Sequence, residues 1–279
     1  MSGRSPGAPS WWARSITATE RGFLAVLLFG LLAAPVSPGR AEPFLDRLGL
    51  GEDRRRTVES RCGEDRLCIA RRLAALEPER YRLVRVRTPD TDTIRWVRSR
   101  PSITAVEALE DGRLLVRLER FGRRLLREFA EGLPRSARIV LDLRSNGGGD
   151  FGRMLRLARA LLGTRPSPPL LVTDRGTTPF PSPDVPPLDL RLEAVLIGPR
   201  TASSAEVLAA LAARAGVALC GGRSRGKDWL EEVVPVRQGW QLYVRRGRII
   251  VPGVTLAGGL RPSADAGSCP EIGSAPFLR

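Results

Sequence analysis

The chain contains no histidine and only one lysine, Lys227. Without histidine there can be no Ser-His-Asp triad. The lack of histidine and of any Cys-x-x-Cys pair also argues against a zinc site. Every other member of the 45 lysines and arginines is arginine. Arginine stays protonated in proteins, so none of them can act as a general base. Aromatic residues make up 5% of the chain, and no basic run carries interleaved aromatics. The net charge of +15 therefore does not read as a nucleic-acid footprint. Its arginines are scattered, as coding bias would scatter them. The excess charge still allows weak association with anionic envelope surfaces.

What is present fits a folded domain. The 279 residues, 42% of them apolar, allow one sizeable domain or a small one plus a larger one. Residues 1–41 have the three-part layout of a signal peptide. Arginines come first, then the apolar run 22–36, then a small residue at Ala41. The run is short for a membrane span, and the alternative is an uncleaved anchor. Either way the remainder is expected outside the cytoplasm, periplasmic or extracellular. Four cysteines agree with an oxidising compartment. Local pairing favours Cys62–Cys68 and Cys220–Cys269, although three connectivities are open.

Residues 42–80 read as a helical, polar segment. Residues 81–279 read as the main core. Short strands are expected at "YRLVRVR", "TIRWVRS", "ITAVEAL" and "RLLVRLERF". An α/β alternation follows. The strand "RIVLDL" leads to the turn "NGGG" and the helix "FGRMLRLARALLG". Next come the strand "PLLVTDR", a proline-rich loop over 177–187, the strand "EAVLIG" and a helix opening at "TASSAE". "VALC" leads into "GRSRGK", and "EEVVPV", "WQLYVR" and "RIIVP" close a β-rich end. Alternating strands and helices imply an α/β fold with a mostly parallel sheet and crossover helices.

Three loops that follow strands hold the chemistry, as is usual in open α/β sheets. Ser203 and Ser204 open a helix, where a hydroxyl can stand over a helix N-terminus. Ser203-x-x-Glu206 also reads as a plain capping box. The glycine turn can expose backbone N–H groups. Lys227 can do what arginine cannot, because a lysine can give up its proton and accept one from serine. Gly221, Gly226 and Lys227 also match most of a phosphate-binding loop. Asp228 stands where that motif needs Ser or Thr, and a strand follows where it needs a helix.

Together "VLDLRSNGGG", "TASSAEVLAALA" and "GRSRGK", with "LRPS" near the end, resemble the S41 peptidases, the C-terminal processing or tail-specific proteases. The resemblance covers 112–262. It implies a ClpP/crotonase-like core, a protein or peptide substrate, a Ser–Lys dyad, and no metal or cofactor. By the motifs, Ser203 is the nucleophile and Lys227 the general base. The backbone N–H groups of Gly148 and Ser204 are the oxyanion donors. Glu231 stands where many relatives carry a dyad-orienting glutamine. The usual PDZ domain has no room, since only about 70 residues separate the leader from the core. Carboxylates at Asp228 and Glu231 that point at Lys227 would favour an inactive, peptide-binding relative. Nothing in the sequence sets the oligomeric state.

Overall fold

In a computed structural model, residues 44–86, 100–164, 166–263 and 269 are described. The leader and the expected strand "TIRWVRS" lie outside these residues. Three short helices come first: α1 (Phe44–Leu48), α2 (Glu52–Cys62) and α3 (Arg66–Leu76). Asp65 starts α3 by accepting the N–H groups of Leu67 and Cys68 on its side chain. The Cys62–Cys68 disulfide closes the α2–α3 turn.

Among the described residues, ten strands form two sheets. The first sheet is mostly parallel. It contains β2 (Ile103–Ala108), β3 (Leu114–Leu118), β4 (Ala137–Asp142), β7 (Leu190–Ile197) and β8 (Ala218–Gly221), in the order β2-β3-β4-β7-β8. Only the β2–β3 pair is antiparallel. Its crossovers are α4 (Leu125–Gly132), α5 (Phe151–Leu162) and α6 (Ser204–Arg214). These bury Phe129, Met154, Leu157 and Leu208 against Ile139, Leu141 and Val195 in the largest core cluster. A parallel sheet needs such helical cover, and its strands read as apolar runs for that reason.

The second sheet is antiparallel. It contains β1 (Tyr81–Arg85), β5 (Leu170–Thr173), β6 (Gly176–Pro179), β9 (Trp229–Arg237) and β10 (Trp240–Ile250). The long β10 carries β9 along one edge, with β1 and β5 along the other. Its residues Leu242 and Val244, with Val234 and Val236 of β9, pack against α1 and α3 through Leu48, Ile69 and Leu73. The N-terminal helical segment thus shares its core with strands from the far end of the chain.

Three local readings needed correction. "WQLYVR" and "RIIVP" are parts of one strand, β10, with a bulge near Arg246. The beginning of the proline-rich stretch is β6, which pairs with β5. The strand tolerates Pro179 because it is short and lies at the sheet edge. The helix α4 was not foreseen.

Candidate active site

The loops after β4, β7 and β8 converge. β4 ends at Asp142 and the chain turns through Asn146 and three glycines into α5. Asn146 is fully buried. Its Nδ2 donates to the Leu118 carbonyl at 3.1 Å, and its own carbonyl accepts the Ala202 N–H at 3.1 Å. This ties the glycine turn to the turn that carries Ser203. Thr201, also buried, donates its hydroxyl to the Leu143 carbonyl at 2.8 Å and accepts the Gly198 N–H at 3.0 Å. The Thr201 carbonyl in turn accepts the Arg225 N–H at 3.0 Å, from the lysine loop.

Ser203 sits at φ 57°, ψ −125°, a left-handed conformation that costs a non-glycine residue energy. It persists because its neighbours are fixed. Glu206 Oε2 accepts the Ser203 N–H at 2.8 Å, as in a capping box. The Glu206 carboxylate does more than cap. It is completely buried and also accepts the Ser224 hydroxyl at 2.5 Å, the Gly226 N–H at 2.5 Å and the Lys227 N–H at 2.8 Å. Nothing local in the sequence marks this second role, because its partners lie some twenty residues away.

Gly148 has φ 97° and abuts the serine: a Cβ there would lie 2.8 Å from the Ala202 carbonyl oxygen and 2.9 Å from Ser203 Cβ. The expected oxyanion donor has an internal partner. The Gly148 N–H donates to Asn146 Oδ1 at 2.9 Å, so it is already engaged. The N–H groups of Gly149 and Ser204 have no acceptor among the described residues. Ser204 is buried, and its hydroxyl donates to the Gly149 carbonyl at 2.9 Å, which pins the glycine turn to the start of α6.

Lys227 is partly exposed, and its Nζ donates to Glu231 Oε2 at 2.6 Å. Among the described residues no hydrogen bond joins Nζ to the Ser203 hydroxyl. Glu231 lies also 3.8 Å from Arg245. Asp228 turns the other way: buried, it takes Arg248 Nη2 at 2.6 Å and Nε at 3.0 Å. Only one of the two suspect carboxylates therefore meets the lysine. Lys227 leads into strand β9, so the helix that a phosphate-binding loop requires is absent at this point.

The strand under the glycine turn is held by charge. Asp142 accepts Arg144 Nε at 2.9 Å and Nη2 at 2.8 Å, with Arg117 at 3.5 Å. Burial pushes the Asp142 carboxyl up, but the Arg144 hydrogen bonds and both arginine charges outweigh it and hold it below the ordinary value. The loop after β8 is secured from behind. Cys220 is bonded to Cys269, and Ser263 exchanges three hydrogen bonds with Leu219. Both observed disulfides follow the pairing favoured by sequence. Among the described residues no cluster of carboxylate or cysteine side chains is placed to hold a metal, and no helix is long and apolar enough to cross a membrane.

Residues 114–262 match the profile of peptidase family S41. Among solved structures, the photosystem II D1 C-terminal processing protease is 25% identical, with a TM-score of 0.45 over 66% of this chain and 47% of that one. The chain thus spans about half the length of that protease. A lipoprotein from Streptococcus agalactiae is 15% identical, with a TM-score of 0.52 over 83% of this chain and 94% of that one. Mature CPAF is 14% identical, with a TM-score of 0.41 over 57% of this chain and 48% of that one. No curated protein matches the chain in sequence.

Proposed function

The chain belongs to peptidase family S41, and from that premise we propose that it is an exported serine endopeptidase working through Ser203 and Lys227. The observation that carries this reading is the shared anchor. One buried carboxylate, Glu206, binds the backbone of both residues and fixes two loops that no local sequence pattern connects. In the proposed mechanism Lys227 Nζ, once deprotonated, takes the proton of the Ser203 hydroxyl. Ser203 Oγ attacks the peptide carbonyl, and the lysine then gives the proton to the leaving amine. Ser204 N–H is the first oxyanion donor. Gly149, whose N–H has no acceptor among the described residues, stands in for Gly148 as the second. The fixed neighbours of Ser203 hold its strained backbone over the helix start. Two disulfides support export to an oxidising compartment.

A second reading has its own observation. Lys227 Nζ is tied to Glu231 Oε2 at 2.6 Å, and among the described residues no hydrogen bond joins it to the Ser203 hydroxyl. On this reading the chain keeps the fold and binds peptides without cutting them. Mass spectrometry of unstructured peptides incubated with the mature protein separates the two. New fragments that vanish in Ser203→Ala establish the peptidase; intact peptides across neutral and alkaline pH establish the binder.

A further inference from the structure

The parallel sheet is charged at one end. Strands β3, β4, β7 and β8 run the same way. The loops that leave them, 119–124, 143–150, 198–203 and 222–228, therefore share the end that carries Ser203 and Lys227. These loops hold eight basic residues and three acidic ones. The loops that enter the same strands, 109–113, 133–136, 180–189 and 215–217, hold two basic residues and four acidic ones. Coding bias would load both ends alike, so the gathering of arginine at one end belongs to the fold.

The three carboxylates at this end are already spent on other cations. Glu119 lies 3.6 Å from Arg100 and Asp150 lies 3.4 Å from Arg153, while Asp228 takes Arg248 at 2.6 Å. None of those arginines is among the eight. Arg123, Arg124, Arg200, Arg223 and Arg225 are exposed. Helices α4, α5 and α6 also start at this end, and their N-termini add positive partial charge. Arg124 is the N-cap of α4 and makes no capping bond with its side chain. A helix start favours Ser, Asp or Asn and disfavours a cation, so Arg123 and Arg124 work against the helix they precede.

These arginines border the site through three loops. The Arg225 N–H donates to the Thr201 carbonyl at 3.0 Å, two residues from both Lys227 and Ser203 in their own loops. Arg200 precedes that threonine, and its Nη2 donates to the Ser145 hydroxyl at 3.4 Å, beside the buried Asn146. Arg123 and Arg124 follow Phe121, whose ring lies 3.9 Å from where a Cβ on Gly149 would stand. We infer that the site selects acidic polypeptide: Asp and Glu side chains flanking the scissile bond pair with Arg123, Arg124, Arg200 and Arg225. Guanidinium groups take carboxylates through paired hydrogen bonds, and a cleft lined by one sign of charge draws the opposite sign toward it. The inference rests on the peptidase reading and supplies its substrate class.

The test compares two unstructured peptides, amidated at the C-terminus, that differ only in Asp and Glu against Asn and Gln. The mature protein should cleave the acidic one with a kcat/KM about tenfold higher, and the advantage should shrink at about 0.5 M salt. Arg123→Glu with Arg124→Glu should remove the preference, and so should Arg200→Gln with Arg225→Gln. Both double variants should cleave the neutral peptide within about twofold of the original rate. The first should also melt no lower than the original, because acidic residues suit a helix start. Equal rates on the two peptides overturn the inference and leave the peptidase standing. So does a preference that survives both double variants. A rate that responds only to a free C-terminal carboxylate makes the chain end the anion that is read, and the inference falls. It falls too if the variants lose only their binding to phosphatidylglycerol vesicles, which makes a membrane the partner. If nothing is cleaved, anisotropy of the labelled peptides on Ser203→Ala decides. Tighter binding of the acidic peptide, lost in the arginine variants, upholds charge selection while the peptidase reading falls. Equal binding, or none at millimolar peptide, overturns the inference.

Discussion

Glu206 Oε2 accepts the backbone N–H of Ser203 and that of Lys227, each at 2.8 Å. The other oxygen takes the Ser224 hydroxyl and the Gly226 N–H. Four donors compensate the burial of this charge. Glu206→Gln keeps the shape but turns an amide NH2 toward two of those donors. The expected cost is about 3 kcal/mol of stability, because the site is left partly unsatisfied. Peptide cleavage should fall at least ~100-fold, because a small displacement of the reacting groups is amplified in rate. Denaturant melts and steady-state kinetics check both. Native rates in a protein that melts normally would remove Glu206 from the positioning of the pair.

Gly148 and Ser204 test the glycine turn. Gly148→Ala places a methyl against the Ala202 carbonyl and Ser203, on a backbone with φ 97°. It should abolish cleavage and cost about 2 kcal/mol or more. Ser204→Ala keeps the proposed N–H donor but frees the Gly149 carbonyl from its 2.9 Å tether. A partial loss, of about tenfold in kcat with little change in KM, is expected from a loosened oxyanion site. If Ser204→Ala abolished cleavage and Ser203→Ala did not, the nucleophile would be misassigned.

The candidate loops of Ser203, Lys227 and the glycine turn could be read in sequence because each sits between strongly patterned elements. Glu206 was visible only as the partner of a helix cap. Its bonds to Ser224, Gly226 and Lys227 span 18 to 21 residues, and no local rule encodes them. The different fates of Asp228 and Glu231 were equally hidden. Whether each carboxylate faces the lysine depends on Arg248 and Arg245, which β10 brings alongside β9. Motif position says nothing about the Asn146 side chain, which accepts the Gly148 N–H. Helix α4 was legible in principle: Leu125, Leu126 and Phe129 recur at helical spacing.

Asp142 supplies a pH prediction. Its folded-state carboxyl is held below the ordinary value, so the unfolded chain takes up the proton more readily. The stabilisation is then complete above the unfolded value of about 3.9 and is lost as pH falls through the folded one. Asp142→Asn should cost about 2 kcal/mol at neutral pH, since Arg144 and Arg117 lose their anion. The gap between the two proteins should close as the medium is acidified through the lowered folded-state value. Urea midpoints measured from about pH 7 to about pH 2 would show it. A gap that stays constant would mean that Asp142 acts through packing, not charge.

Lys227→Arg separates the catalytic reading from the peptide-binding one. The substitution keeps the cation and its bond to Glu231, so the fold and any binding surface should survive. A general base must release a proton, and a guanidinium does not do so in water at ordinary pH. Cleavage should therefore fall by about 1,000-fold or more, to background, with circular dichroism and thermal melting unchanged. Glu231→Gln completes the argument, because it keeps a hydrogen-bond acceptor beside Nζ and removes the anion. If the ion pair with Glu231 holds Nζ away from Ser203, this variant should cleave several-fold faster at neutral pH. If Glu231 only aims the side chain, Glu231→Gln should be silent and Glu231→Ala slow. Should the arginine protein cut peptides at a rate comparable to the original, Lys227 is not the base and the Ser–Lys mechanism is wrong, whatever Glu231 does.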